Sequence, residues 1–206
     1  MKFSEYQKVE EEYNVGGGSA GFMRLQKGDN IIRIVSEFEV RGIHGWKTKG
    51  GQYKSAICIG KEKGCKYCKA DNKVSVKYLG WVINKTDKNA EKHQVQLLEI
   101  GHTVFKQLGQ FQADPDYAFD SIPDYDVKIK ATGDGLDREY QVLPSPKRYE
   151  LDAEREEEVS KLKPISEIIQ AMKDKEAKKL GEDIKVDDES EESGDDDEPK
   201  IKDIPY

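Results

Sequence analysis

Residues 93–111 read HQVQLLEIGHTVFKQLGQF, and two structural periods meet inside them. The first eight residues read as a strand. After Gly101 the apolar residues are Val104, Phe105, Leu108 and Phe111, which fall on one face of a helix. Upstream, NIIRIVSEFEV (30–40) alternates and is rich in β-branched residues, so it predicts one long strand. SAICI (55–59) is a short strand after a Gly-rich loop, and VSVKYLGWVI (74–83) is a long one. Downstream, YDVKIKA and EYQVL form a hairpin across TGDGLDR, whose glycines supply positive φ.

Strands, then one helix, then two more strands is the order of a five-stranded OB barrel. The expected fold is therefore mainly β, with a Greek-key sandwich or a small α+β domain as alternatives that give a similar string. Residues 22–148 form this body, preceded by a Gly-rich flexible segment, 1–21, that ends in VGGGSAG. Beyond Pro144 and Pro146 the character becomes helical over 149–181. There Ile165, Ile168, Ile169 and Met172 line one face, Leu180 follows, and Gly181 suits a C-cap. That apolar face predicts docking on the barrel or on a neighbouring subunit. From 182 to 206 twelve acids face three lysines, which predicts a disordered acidic tail.

The charge is divided. The whole chain is −7, yet residues 22–148 carry 22 basic against 16 acidic side chains, and residues 41–92 carry thirteen against four. A basic body with an acidic end predicts a polyanion-binding domain that carries its own mimic of the polyanion. No apolar run approaches a membrane span, and the N-terminus has no secretory h-region, so the cytoplasm is the expected compartment.

All three cysteines lie in CIGKEKGCKYC, as Cys58-x6-Cys65-x2-Cys68, with His44 fourteen positions upstream. Three thiolates and an imidazole are a tetrahedral zinc set, and the two-residue gap lets Cys65 and Cys68 grip one ion. A disulfide would leave one thiol over. A redox pair would leave Cys58 unexplained. Buried structural cysteines fit poorly among Lys61, Lys63, Lys66 and Lys69. His93 and His102 are rival fourth ligands. With four protein ligands the ion would be structural.

Trp46, Tyr53, Tyr67, Tyr78 and Trp81 are threaded among the lysines of the same segment. Rings stack on splayed bases while lysines hold phosphates. The expected nucleic-acid contacts are Trp46, Tyr53, Tyr78 and Trp81, with Arg41, Lys47, Lys49, Lys54, Lys77 and Lys85 on phosphates. Tyr78 and Trp81 differ by three and face opposite ways on a regular strand. A bulge at Gly80 would bring them to one surface.

The ordering of His44, Cys58, Cys65-x2-Cys68, a lysine- and aromatic-rich strand and then strand–helix–strand–strand resembles the single-stranded DNA-binding proteins of tailed phages, the helix-destabilising proteins of T-even phages among them. The likeness covers about 22–150 and the tail. It implies an OB fold with a zinc subdomain inserted at about 41–73, one His and three Cys ligands, and KYLGWVINKTD as the DNA-contacting strand. It also implies an acidic tail that recruits replication and recombination proteins, and the host cytoplasm as the setting if the chain is phage-encoded. The chain departs from the T-even pattern in its shorter Cys58–Cys65 spacing. It also lacks a basic N-terminal arm, so self-association on DNA would fall to the 165–180 helix. The ending Asp203, Ile204, Pro205 and Tyr206 is similar to the Asp-Ile-Pro-Phe that closes bacterial single-stranded-DNA-binding proteins.

The expected function is thus non-enzymatic, sequence-independent single-stranded DNA binding with structural zinc. The rivals are a zinc-ribbon transcription or anti-termination factor and a small nuclease. No carboxylate cluster with a histidine favours the nuclease.

Overall fold

The computed structural model describes residues 21–187. The segment before them and the sequence after Asp187, with Asp203, Ile204, Pro205 and Tyr206, lie outside the described residues. The strands are β1 (Phe22–Met23), β2 (Gly28–Ile34), β3 (Glu39–Lys47), β4 (Tyr53–Ile57), β5 (Val74–Asn84), β6 (Gln94–Gly101), β7 (Tyr125–Thr132) and β8 (Glu139–Arg148). The helices are α1 (Lys66–Lys69), α2 (His102–Gln112), α3 (Ala153–Ser160) and α4 (Ile165–Asp187).

The strands pair in one mixed sheet along the path β1-β6-β5-β2-β7-β8, with β3 between β5 and β4. The path is open: among the described residues no ladder joins its two ends, so the ladders describe an eight-stranded mixed sheet that is open rather than closed. Two features explain the opening. Strand β1 runs parallel along the free edge of β6, pairing Phe22 with Leu97. Helix α2 then fills the gap to β8, and its Gln107 treats that strand as a partner strand would. The Gln107 Nε2 donates to the Tyr140 carbonyl (3.0 Å), and its Oε1 accepts from Val142 N–H (2.9 Å). An edge covered by a helix needs no further ladder.

Residues 30–40, expected as one strand, are two. Strand β2 pairs with the end of β5 (Ile34 with Val82), and β3 resumes against its beginning (Glu39 with Leu79). Four residues, 35–38, therefore stand opposite Gly80 and Trp81. The excursion is held where Val35 N–H donates to the Trp81 carbonyl (3.0 Å) and Trp81 N–H donates to Ser36 Oγ (2.8 Å). The Phe38 ring crosses the strand at Gly80, where a Cβ would sit 2.8 Å from the ring. Gly80 thus marks the irregularity, but the extra residues belong to the opposite strand. An even number of them preserves alternation on both sides.

The sheet has two buried faces. On one, Tyr78, Val82, Ile32, Leu98, Val127 and Ile129 pack with Val104 and Leu108 of α2. On the other, Leu79, Trp81, Ile83, Val95 and Leu97 pack with Ile165 and Ile169 of α4, with Ile168 and Met172 partly buried beside them. The expected apolar stripe of the C-terminal helix therefore docks on the sheet of its own chain. Ile165 and Ile169, both buried, each contribute about 1.5–3 kcal/mol. The helix does not stop at Gly181; its backbone continues to Asp187. A glycine inside a helix costs only about 1 kcal/mol relative to alanine, and the residues after it are ordinary helix formers.

Candidate metal centre

Strands β3 and β4 form a ribbon that extends the sheet past the end of β6, and the four expected ligands meet on one face of it. His44 lies on β3, paired with Ala56 of β4 and Val74 of β5. Cys58 follows β4, and its N–H donates to the Gly42 carbonyl (2.9 Å). Cys65 precedes α1 and Cys68 lies within it. Gly60 and Gly64 adopt φ of 97° and 79°, which lets the chain reverse twice between the sulfurs. A Cβ on Gly42 would stand 2.8 Å from Val74 Cγ1 and 3.1 Å from Cys58 Cβ, so the knuckle seats against bare backbone there.

His44 and Cys65 are fully buried. The four donor atoms lie within 4.8 Å of one another. His44 Nε2 is 3.4 Å from Cys68 Sγ and 3.5 Å from Cys65 Sγ, and Cys58 Sγ is 3.4 Å from Cys68 Sγ. A disulfide needs about 2.05 Å, and the cysteines are free thiols. Ligands at about 2.0–2.3 Å from a tetrahedral ion stand about 3.5–3.8 Å apart, so the cluster is of the right size for a metal. The other ring nitrogen of His44 is 3.1 Å from the Asn72 carbonyl, an outer partner that fixes the ring with Nε2 toward the sulfurs.

The electrostatics of the thiols point the same way. Burial, together with the neighbouring Cys58 and Cys65 thiols, pushes Cys68 up to about 12. Burial also opposes ionisation of Cys65, but backbone hydrogen bonds at Cys68, Ile59 and Tyr67 outweigh it and hold that thiol below its usual value. Three sulfurs this close cannot all ionise alone, whereas a cation among them reverses the penalty. The rival histidines lie elsewhere. His102 Nδ1 is 3.0 Å from the Tyr78 hydroxyl, and His93 is half-buried ahead of β6.

The expected nucleic-acid residues divide sharply. Trp46, half-buried on β3, stacks on Tyr67 with ring centroids 4.7 Å apart, and Tyr67 in turn leans on His44. Tyr53 is 68% exposed and its ring lies across Gly45. Lys47, Lys49 and Lys54 are exposed on the same ribbon, and Lys77 is half-buried at a recess of about 560 Å³ with Arg138 and Tyr140.

The remaining four are engaged internally. Trp81 is 7% exposed beneath α4, and its indole N–H donates to the Lys163 carbonyl (2.9 Å). Tyr78 is 8% exposed on the opposite face and stacks on Phe105 at 3.8 Å. The two rings face opposite ways, as regular alternation requires, and both are core because each face has its own cover. Arg41 pairs with Glu99 and reaches Met172 Sδ (2.9 Å). Lys85 is bound to Asp126 (3.0 Å) and Tyr149 (2.5 Å). Asn72 and Gly42 carry no local motif, and only the pairing of β3 with β5 reveals them.

No protein-family model and no curated protein matches the chain.

Proposed function

We propose that the chain is a sequence-independent single-stranded DNA-binding protein whose basic ribbon is held in shape by zinc. The observation that carries this reading is the ribbon itself. Tyr53 stands 68% exposed in solvent across from exposed Lys47, while exposed Lys54 pairs with Trp46 on the other face, on the two strands that carry the candidate metal cluster. A large ring left in water at a rigid, cationic place is suited to a base, and the Trp46–Tyr67 stack offers a second ring surface. The charge of the body supports it, thirteen basic against four acidic side chains over 41–92.

The path β6-β5-β2-β7-β8, with its helix between β6 and β7, supports assignment to the OB class, which includes partly open barrels. His44, Cys58, Cys65 and Cys68 would hold the ion, and their chemistry, three soft sulfurs and one imidazole, suits Zn2+ over harder cations. Zinc with four protein ligands supplies structure, so the role is binding and not catalysis. The tail ending in Asp203, Ile204, Pro205 and Tyr206 would compete with DNA for the ribbon and recruit replication and recombination proteins of a phage-infected host cytoplasm.

The test is fluorescence titration with oligo-dT, the matching duplex and oligo-rU. Tight binding to oligo-dT, falling steeply with salt, with weak duplex binding is expected. Equal affinity for duplex and single strand overturns the reading, and preference for oligo-rU replaces DNA by RNA.

A further inference from the structure

Helix α4 is fastened at two distant places. At its start, Ser166 N–H donates to the Glu39 carboxylate (3.1 Å), and Ile165 and Ile169 are buried on Trp81 and Leu79. About 22 Å further along, Leu180 is 6% exposed and packs with Ile59 and Cys65, beside Cys58, Tyr67 and Cys68. Among the described residues this second fastening has three buried members, and one of them is Cys65 of the candidate metal cluster. Between the two lie Lys173, Lys175, Lys178 and Lys179, on a stretch of helix largely open to solvent.

We propose that metal binding and the seating of the Leu180 end of α4 are a single coupled equilibrium. The inference rests on the reading that His44 and the three cysteines hold zinc. With the ion in place, Ile59 and Cys65 present a fixed surface for Leu180. Without it the knuckle loosens and α4 opens from Leu180 back toward Met172, while the larger apolar contact at Ile165 and Ile169 keeps the other end docked. Linkage makes the coupling reciprocal, so a helix that cannot seat must weaken the metal by the same factor.

Two measurements on the full chain test this, and neither uses nucleic acid. Chelating the zinc should accelerate tryptic cleavage at Lys173–Lys179 about tenfold while Lys85, directly after β5, and Lys128, in β7, stay protected. Leu180→Ala should weaken zinc about tenfold in competition with a chromophoric chelator, whereas Ile169→Ala leaves it within about twofold. Zinc affinity unchanged by Leu180→Ala, or cleavage accelerated equally at Lys85, overturns the coupling alone. A wild-type chain that binds no zinc overturns the metal reading and the coupling with it.

Discussion

At the scale of single residues, two cations expected on phosphate, Arg41 and Lys85, are held in ion pairs within the fold, with Glu99 and Asp126. Lys85 sits between Asp126 and Tyr149, its ammonium 4.7 Å from the Tyr149 ring centre, with the Arg33 guanidinium also 4.7 Å from it. Burial works against the Lys85 charge, but the Tyr149 hydroxyl and Asp126 outweigh it and raise its pKa. Burial and the hydrogen bond to Asp126 raise Tyr149 as well. Both groups keep protons in the folded state that the unfolded chain has lost above about pH 10. The stability they contribute is therefore present below about pH 10 and lost as pH rises beyond it. Urea midpoints should fall between about pH 8 and about pH 11, and Lys85→Met should shrink the fall. An equal fall in that variant would remove Lys85 from the account. At the candidate metal centre, the proposed zinc should be lost and the domain loosened in Cys65→Ser, and Gly42→Ala should destabilise by about 1–3 kcal/mol because Val74 and Cys58 must move. A melting curve with and without added zinc reads both.

At the scale of elements, the aromatic residues separate into core and surface according to what crosses them. Trp81→Ala leaves a cavity beneath α4 and should cost about 3–5 kcal/mol of stability. Tyr53→Ala should leave the melting temperature nearly unchanged and weaken oligo-dT binding by about 1–3 kcal/mol. The opposite pattern, a stable Trp81→Ala protein with lost DNA binding, would put the DNA on the α4 face. The helix face of α2 and the apolar stripe of α4 were both legible as periodicity. The split of residues 30–40 was not, since Val35 and Phe38 are strand formers and no Gly or Pro marks the break. Only the shared partner β5, and the Phe38 ring seated on Gly80, impose the excursion.

At the scale of the whole molecule, a basic body and an acidic end in one chain imply competition. Deleting 188–206 should tighten oligo-dT binding, most at low salt, with the difference vanishing as screening increases; a flat response would leave the tail to partners alone. The sequence by itself determined the candidate metal cluster, because three thiols and an imidazole at those spacings have few other uses and local turns bring the three sulfurs together. It also determined that the fold is mainly β and that the charge is divided. Only the tertiary structure decided which rings and cations remain available. Trp81 and Tyr53 look alike in the sequence, each an aromatic near lysines. Burial is not a property of a residue's neighbours in the chain. It depends on what returns to cover it, and for Trp81 that cover arrives more than eighty residues later in α4, where no local pattern can announce it.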